Sequence, residues 1–167
     1  KKQGVTVIPV SHHNLLDEST LYPEECTIEN TKEVTALLEA YGVPVYLSGH
    51  LHLQRIKKHT SNLNTPGGYG IREIVTSPLP MAPCQYSILN WQADGSLSYH
   101  TKKVDIAGWA QRYGEEDENL LNFDAYADQF LVDVISKQAF KALQSASKDI
   151  KEEMARLYAD MNRDYCS

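Results

Sequence analysis

Two short histidine-containing segments are the part of this chain best suited to chemistry. Residues 49–52 read Gly-His-Leu-His, and residues 11–14 read Ser-His-His-Asn. In an extended segment, side chains two positions apart point to the same side. We therefore expect His50 and His52 to face one site while Leu51 points into the core. Imidazoles placed in this way can each take one ion of a two-metal pair, whose ions lie about 3.5–4 Å apart.

The elements around these segments predict that the histidines meet at one edge of a sheet. Residues 5–10 form a short apolar run rich in β-branched side chains, which indicates a buried strand. Residues 30–42 have the spacing of an amphipathic helix, and residues 43–47 read as the next strand. Strand, helix and strand form a right-handed parallel pair, and such sheets bind ligands at the carboxyl ends of their strands. His12 follows the first strand and His50 follows the second, so the two are predicted to converge.

Strand patterns continue through the middle of the chain. Strands are predicted at 53–59, 71–76, 85–91 and 97–104. The last two form a hairpin, because Asp94-Gly95 between them is a strong turn signal. Residues 62–70 have the composition of a loop.

Beyond Ile106 the periodicity becomes helical. Apolar side chains recur at helical spacing in two stretches: Phe123, Ala127, Phe130, Leu131 and Val134, then Ile150, Met154, Leu157, Tyr158 and Met161. Two amphipathic helices of this length predict a helical hairpin or a small bundle, with both stripes in its core.

Size and composition exclude several classes of function. The 167 residues, 42% hydrophobic and 23% charged, suit one soluble domain or one domain with a helical appendage. The formal net charge of −6 argues against general binding to nucleic acid or to an anionic membrane. No apolar run approaches the roughly 20 residues of a membrane span. The three widely spaced cysteines indicate neither a disulfide framework nor a CxxC metal site.

The amino terminus predicts a fragment of a longer protein. Lys1 leads almost directly into a strand pattern, without an initiator Met or a signal peptide. The compartment, cytoplasmic or exported, is therefore left open.

The other candidate residues are expected to be structural. His59 and His100 lie on strand-like segments and are predicted to be surface histidines, and Asp17 and Glu18 to lie in a solvated loop. The chain has no glycine-rich phosphate loop and no GxSxG elbow, so serine hydrolase chemistry has no support.

The two histidine segments together resemble a known family. Residues 10–14 and 48–52 are similar to the last two motif blocks of the calcineurin-like metallophosphoesterases. The extended patterns at 14–17 and 49–54 most resemble the bacterial cyclic-nucleotide phosphodiesterase branch. Members of that branch carry a helical C-terminal domain, which would correspond to about residues 106–167.

The resemblance implies a fold and a ligand set. The fold would be α/β: residues 1–104 as the C-terminal half of a metallophosphoesterase β-sandwich core, then an α-helical C-terminal domain at 105–167. His12 and His50 would ligate one ion and His52 the other, with His13 as the alternate to His12. Around these ligands, the second layer would comprise His13, Asn14 and Gly49, the last allowing a tight turn.

The resemblance also implies a chemistry. The complete enzyme would hold two divalent or trivalent transition-metal ions (Mn, Fe or Zn). It would hydrolyse a small-molecule phosphoester, such as a cyclic nucleotide or a related phosphodiester, by attack of a metal-bridged hydroxide on phosphorus.

This chain departs from the family pattern in one respect. The earlier blocks, Asp-x-His, Gly-Asp-x-x-Asp and Gly-Asn-His-Asp/Glu, do not occur in it. We therefore expect the parent protein to be an enzyme and the isolated chain, with half of the site, to be inactive. A sheet face or edge exposed by the missing half predicts self-association. The alternative is a free-standing module without catalysis, either a mononuclear metal-binding domain or an oligomerisation domain.

Overall fold

The chain is mixed α/β, with two small sheets and five helices in the part that the structure describes. The computed structural model describes residues 5–16, 26–59, 70–143 and 145–166. The chain divides into two units, Lys1–Ser77 and Pro78–Ser167. A metallophosphoesterase β-sandwich remains a prediction.

The described part of the first unit contains one helix and a three-stranded sheet. Its elements are α1 (Thr31–Ala40), β1 (Val45–Ser48), β2 (Arg55–Lys58) and β3 (Arg72–Val75). The strand order is β1-β3-β2, with β1 parallel and β2 antiparallel to β3. These three strands fall where the sequence predicts them. The loop predicted at 62–70 lies, apart from Gly70, outside the described residues, as do Asp17 and Glu18.

The predicted buried strand at residues 5–10 is wrong in its burial. Only its end pairs with β1: Val10 forms a parallel bridge with Leu47, supported by a 3.0 Å bond from the Ser11 amide to the Leu47 carbonyl. Val5 is 60% exposed and Val10 72% exposed. A strand is buried only if its faces are covered, and the described residues leave these side chains in solvent. The predicted parallel relation to β1 holds at this bridge, and self-association through this edge stays a prediction.

The core of the first unit lies between the sheet and α1. Leu15, Tyr46 and Ile71 are its buried centre. Four partly buried side chains pack against it: Leu16, Ile28, Val34 and Leu38. This core fixes the segment that follows His13, because Leu15 and Leu16 are both part of it.

The second unit begins with the predicted hairpin. Strands β4 (Gln85–Trp91) and β5 (Leu97–Lys103) pair antiparallel, which confirms the turn signal between them. Gly95 has a φ of 83°, a backbone conformation that glycine adopts without a steric penalty. The Ser96 amide donates to Asp94 Oδ1 over 2.8 Å. Hydrogen bonds from the Ser96 backbone and side chain lower the pKa of Asp94 below its ordinary value.

We expect this turn to weaken in acid. A carboxyl group whose pKa is lower in the folded state adds stability above its unfolded pKa, and this stability is lost as the pH falls through the folded value, below roughly pH 4. An NMR titration should place the Asp94 pKa below that of an ordinary aspartate. Ser96→Ala keeps the amide donor and should raise this pKa only in part. An ordinary Asp94 pKa in the unmodified chain would contradict the assignment.

Four helices follow the hairpin in the described residues of the second unit. They are α2 (Ile106–Tyr113), α3 (Glu118–Leu121), α4 (Phe123–Ala142) and α5 (Lys148–Cys166). The two long helices, α4 and α5, fall on the two predicted stretches and pack against each other. No helix in the described ranges is both long enough and apolar enough to cross a membrane.

The prediction of which face of α5 is buried is wrong. Ile150 and Leu157, on the predicted core stripe, are each 54% exposed. The buried residues of α5 are instead Ala155, Ala159 and Asn162. Small side chains let two helix backbones approach closely, since interaxial distance depends on the side chains at the contact. The hydrophobic pattern marked the larger residues and missed the alanine face.

Substitutions on the two faces of α5 should therefore differ in their effect. Ala159→Leu forces three extra carbons into a filled space and should lower the free energy of unfolding by about 1–3 kcal/mol. Leu157→Gln, on the exposed face, should change it by less than about 0.5 kcal/mol. Chemical denaturation measures both. If both variants lost the same free energy of unfolding, the assignment of Ala159 to the buried face of α5 would be wrong.

Candidate metal centre

Three histidine rings lie together beside the carboxyl end of β1. The His12 ring centroid is 5.3 Å from that of His13 and 5.1 Å from that of His50. The His13 and His50 centroids are 4.5 Å apart. His50 Nδ1 lies 3.2 Å from His12 Nε2. The structure thus brings together three of the four histidines that the sequence marks.

The backbones of the two histidine segments are joined directly. The Gly49 amide donates to the His12 carbonyl over 3.1 Å. A Cβ added to Gly49 would meet only ordinary contacts, the nearest at 3.9 Å, and its φ lies outside the left-handed region. The expectation that Gly49 supplies the tight turn is therefore not met. The unusual conformations fall on the histidines that follow it.

The segment from His50 to His52 is not extended, contrary to the prediction. His50 has a φ of 60° and His52 a φ of 56°. The Leu51 amide donates to the Gly49 carbonyl over 2.7 Å, which closes a turn of three residues. Leu51 is buried, as predicted. The alternation argument places Leu51 correctly but does not apply to the two histidines, because it assumes a strand conformation.

His52 is separate from the ring cluster. His52 is exposed. Among the described residues, its ring takes no part in the contacts between the rings of His12, His13 and His50. Left-handed conformations in non-glycine residues cost about 1–3 kcal/mol and concentrate at functional sites. The backbone at His52 is thus an unusual feature, whereas its side chain faces solvent.

A buried polar network lies behind the histidines. Asn14 is fully buried, and its Nδ2 donates to Ser48 Oγ over 2.9 Å. The backbone amide of Asn14 donates to the Cys26 carbonyl, and its backbone carbonyl accepts from the Ile28 amide, both over 3.0 Å. Asn14, predicted to lie next to the ligands, therefore anchors the His12 segment to β1 and to residues 26–28.

Glu73 is the residue of this network that sequence reasoning missed. It is 0% exposed, and Ser48 Oγ donates to its Oε1 over 2.7 Å. The Leu15 amide donates to Oε1 over 2.6 Å and the Leu16 amide to Oε2 over 2.5 Å. A signal was present in the sequence: Glu73 stands between Ile71 and Val75, on the same face of a strand. An acid in an otherwise apolar alternation indicates a buried carboxylate.

The donor atoms of His12 and His50 fit two ligand positions of one metal ion. Imidazole nitrogens bind zinc at about 2.0–2.1 Å, so two of them at tetrahedral or octahedral angles lie about 2.9–3.4 Å apart. The 3.2 Å between His12 Nε2 and His50 Nδ1 falls in this range. Within the described residues, no group of three or more His, Cys, Asp or Glu side chains is arranged to hold a metal. The pair by itself supplies fewer than the three protein ligands of a catalytic zinc site.

Comparison with known proteins relates the helical end of the chain to a family. Residues 105–167 match the family described as the C-terminal domain of cyclic nucleotide phosphodiesterase. No curated protein matches the chain. The helical segment is thus similar to the C-terminal domain of a phosphodiesterase, and this similarity supports the predicted link to cyclic nucleotides. The likeness of the histidine segments to calcineurin-like enzymes remains a resemblance of motifs.

The left-handed backbone at His52 predicts an uncommon response to glycine. Because the side chain is exposed, His52→Gly removes little packing and relieves the steric cost of a positive φ. The free energy of unfolding should stay the same or rise by up to about 1 kcal/mol, or about 2–4 °C in Tm. His52→Val places a β-branched residue in the same conformation and should lower it by about 1–2 kcal/mol.

His100 provides the matched control, since it is also an exposed histidine but lies in strand β5. His100→Gly should lower the free energy of unfolding by about 0.5–1 kcal/mol. Thermal unfolding of all three variants measures the difference. A His52→Gly chain as destabilised as His100→Gly would contradict the left-handed assignment.

Proposed function

We propose that this chain is part of a metal-dependent phosphodiesterase that hydrolyses cyclic nucleotides or related small phosphodiesters. Two independent observations support the proposal. Residues 105–167 match a family named for cyclic nucleotide phosphodiesterase. The observation that carries the metal dependence is the 3.2 Å separation of His12 Nε2 and His50 Nδ1, which suits two ligands of one ion.

The proposed roles combine the ring positions of His12, His13 and His50 with the motif resemblance. His12 and His50 hold one ion, and the resemblance alone assigns His52 to the other. His13, whose ring contacts both His12 and His50, supports them and is the alternate ligand. Asn14 and Gly49 fix the two backbones that carry the ligands. When bound, divalent or trivalent Mn, Fe or Zn ions polarise the phosphate and make a bound water acidic.

Charge arithmetic requires more ligands than this group supplies. Two cations about 4 Å apart repel each other strongly in a protein environment, and neutral imidazoles do not offset that repulsion. Bridging carboxylates do so in two-metal sites. Among the described residues, no carboxylate joins the histidines in a metal-binding group. We therefore propose that further ligands complete the site in the active enzyme and that the 167 residues alone do not catalyse.

The test compares hydrolysis of bis-p-nitrophenyl phosphate and cyclic AMP, with added manganese, by three proteins. These are the 167-residue chain, the complete product of its gene and that product carrying His50→Ala. We expect activity in the complete product only. His50→Ala should lower kcat/KM by at least about 100-fold, which corresponds to about 3 kcal/mol of transition-state stabilisation.

His100→Ala in the complete product is the control, because this exposed histidine lies on the hairpin of the other unit. It should stay within about twofold of the unmodified activity. Full activity of the 167-residue chain, or an unaffected His50→Ala enzyme, would overturn the proposal. Hydrolysis of bis-p-nitrophenyl phosphate without hydrolysis of cyclic AMP would keep the reaction class and remove the cyclic-nucleotide substrate. Binding of one ion without hydrolysis by any form would favour a metal-binding module.

A further inference from the structure

We propose that Glu73 is a positioning residue that sets the separation of the two histidine-bearing segments. It lies on β3, outside both segments, and its carboxylate contacts both of them. The inference rests on the proposed function only for its consequence on metal binding. Its geometric content concerns the distance between His12 and His50 and does not depend on a metal.

The burial of Glu73 requires an explanation other than packing. A carboxylate is among the costliest groups to bury, and it is tolerated only when it is paired or fully hydrogen-bonded. An apolar residue would fill the same position on the Ile71 and Val75 face without that cost. Glu73 is 0% exposed, and its carboxylate accepts from the Leu15 and Leu16 amides and from the Ser48 hydroxyl over 2.5–2.7 Å. The carboxylate is therefore matched to its donors.

The donors come from the two segments that carry the histidines. Leu15 and Leu16 come immediately after His13 and Asn14 in the chain. Their backbone amides donate to different oxygens of the Glu73 carboxylate. Ser48 precedes Gly49 and His50, and its hydroxyl donates to Oε1. One rigid carboxylate group on the central strand thus fixes the start of one segment relative to the end of the other.

A second bond strengthens this arrangement. Ser48 Oγ accepts from Asn14 Nδ2 while it donates to Glu73. The chain of contacts runs from Asn14 through Ser48 to Glu73 and returns through the Leu15 amide. Loss of the carboxylate would leave two backbone amides and one hydroxyl buried without their acceptor, so the segment at 12–16 would move to rehydrate them. Residues that orient metal ligands from behind typically change affinity by about 10–100-fold when they are removed.

Ile74 offers a matched control. It is the next residue of β3, is equally buried, and points to the other face of the strand. Ile74→Ala removes core packing and lowers stability, but it removes no hydrogen bond to either histidine segment. Ile74→Ala lowers the stability of the chain but leaves the hydrogen bonds between Glu73 and both histidine segments in place. Comparing it with the Glu73 variants therefore separates a positioning role from a general structural one.

The experiment uses the 167-residue chain in four forms: unmodified, Glu73→Gln, Glu73→Ala and Ile74→Ala. Without metal, NMR measures the nuclear Overhauser contact between the His12 and His50 ring protons and the hydrogen exchange of the Leu15 and Leu16 amides. With cobalt(II), isothermal titration and the visible spectrum measure affinity and coordination. We expect the ring contact in the unmodified and Ile74→Ala chains, a weaker one in Glu73→Gln, and none in Glu73→Ala. Cobalt affinity should fall by about 10–100-fold in the Glu73 variants and by less than threefold in Ile74→Ala.

Each outcome separates the two proposals. A ring contact that persists in both Glu73 variants overturns the positioning role, whatever the cobalt result. A ring contact that depends on Glu73 in a chain that binds no cobalt supports the positioning role and removes the metal part of the proposed function. If both Glu73 variants fail to fold, hydrogen exchange in the unmodified chain tests the positioning role. Slow exchange at the Leu15 and Leu16 amides supports the tether, and exchange as fast as in a solvated loop overturns it.

Discussion

The arrangement of the first unit depends on one constraint, the need to satisfy a buried carboxylate. An ionised carboxylate without partners would cost several kcal/mol, comparable with the whole stability of a small domain. Glu73 avoids this cost by accepting from the Leu15 and Leu16 amides and from Ser48. Those donors can reach one carboxylate only if the segment after His13 lies across β3 beside the end of β1. The position of the histidines is a consequence of that requirement.

The two units draw their stability from different sources. In the first, a short sheet and a helix enclose an apolar centre of Leu15, Tyr46 and Ile71, and a few polar residues, Asn14, Ser48 and Glu73 among them, are buried beside it. In the second, two long helices pack through small residues, and the hairpin depends on local turn chemistry. The family match covers only the second unit's helices, at residues 105–167. The chemistry proposed for the chain therefore combines a similarity to a family in one unit with a geometric observation in the other.

Prediction from sequence succeeded where the determinants are local. The Asp94-Gly95 turn needs only two residues to specify a hairpin. His12 lies next to His50 as expected, but the segment before His12 joins β1 through a single parallel bridge and is not the buried strand that the pattern predicts. Prediction failed where distant residues decide. The left-handed backbone at His52 has no signal in the local sequence, which is compatible with an extended strand. The buried face of α5 could not be recognised by hydrophobicity, because the alanines that form it rank below the exposed leucine and methionines.

The short distance between His12 and His50 has a consequence for the protons on these rings. At 3.2 Å, two neutral imidazoles interact favourably only if one facing nitrogen carries a hydrogen and the other does not. Two neutral rings form this contact only in complementary tautomers. Ligation by both rings requires two facing lone pairs, so one ring must transfer its hydrogen to its far nitrogen. A group that accepts a hydrogen bond from that far nitrogen stabilises the tautomer that can bind a metal. It therefore shifts the balance from the contact between the two rings towards metal binding.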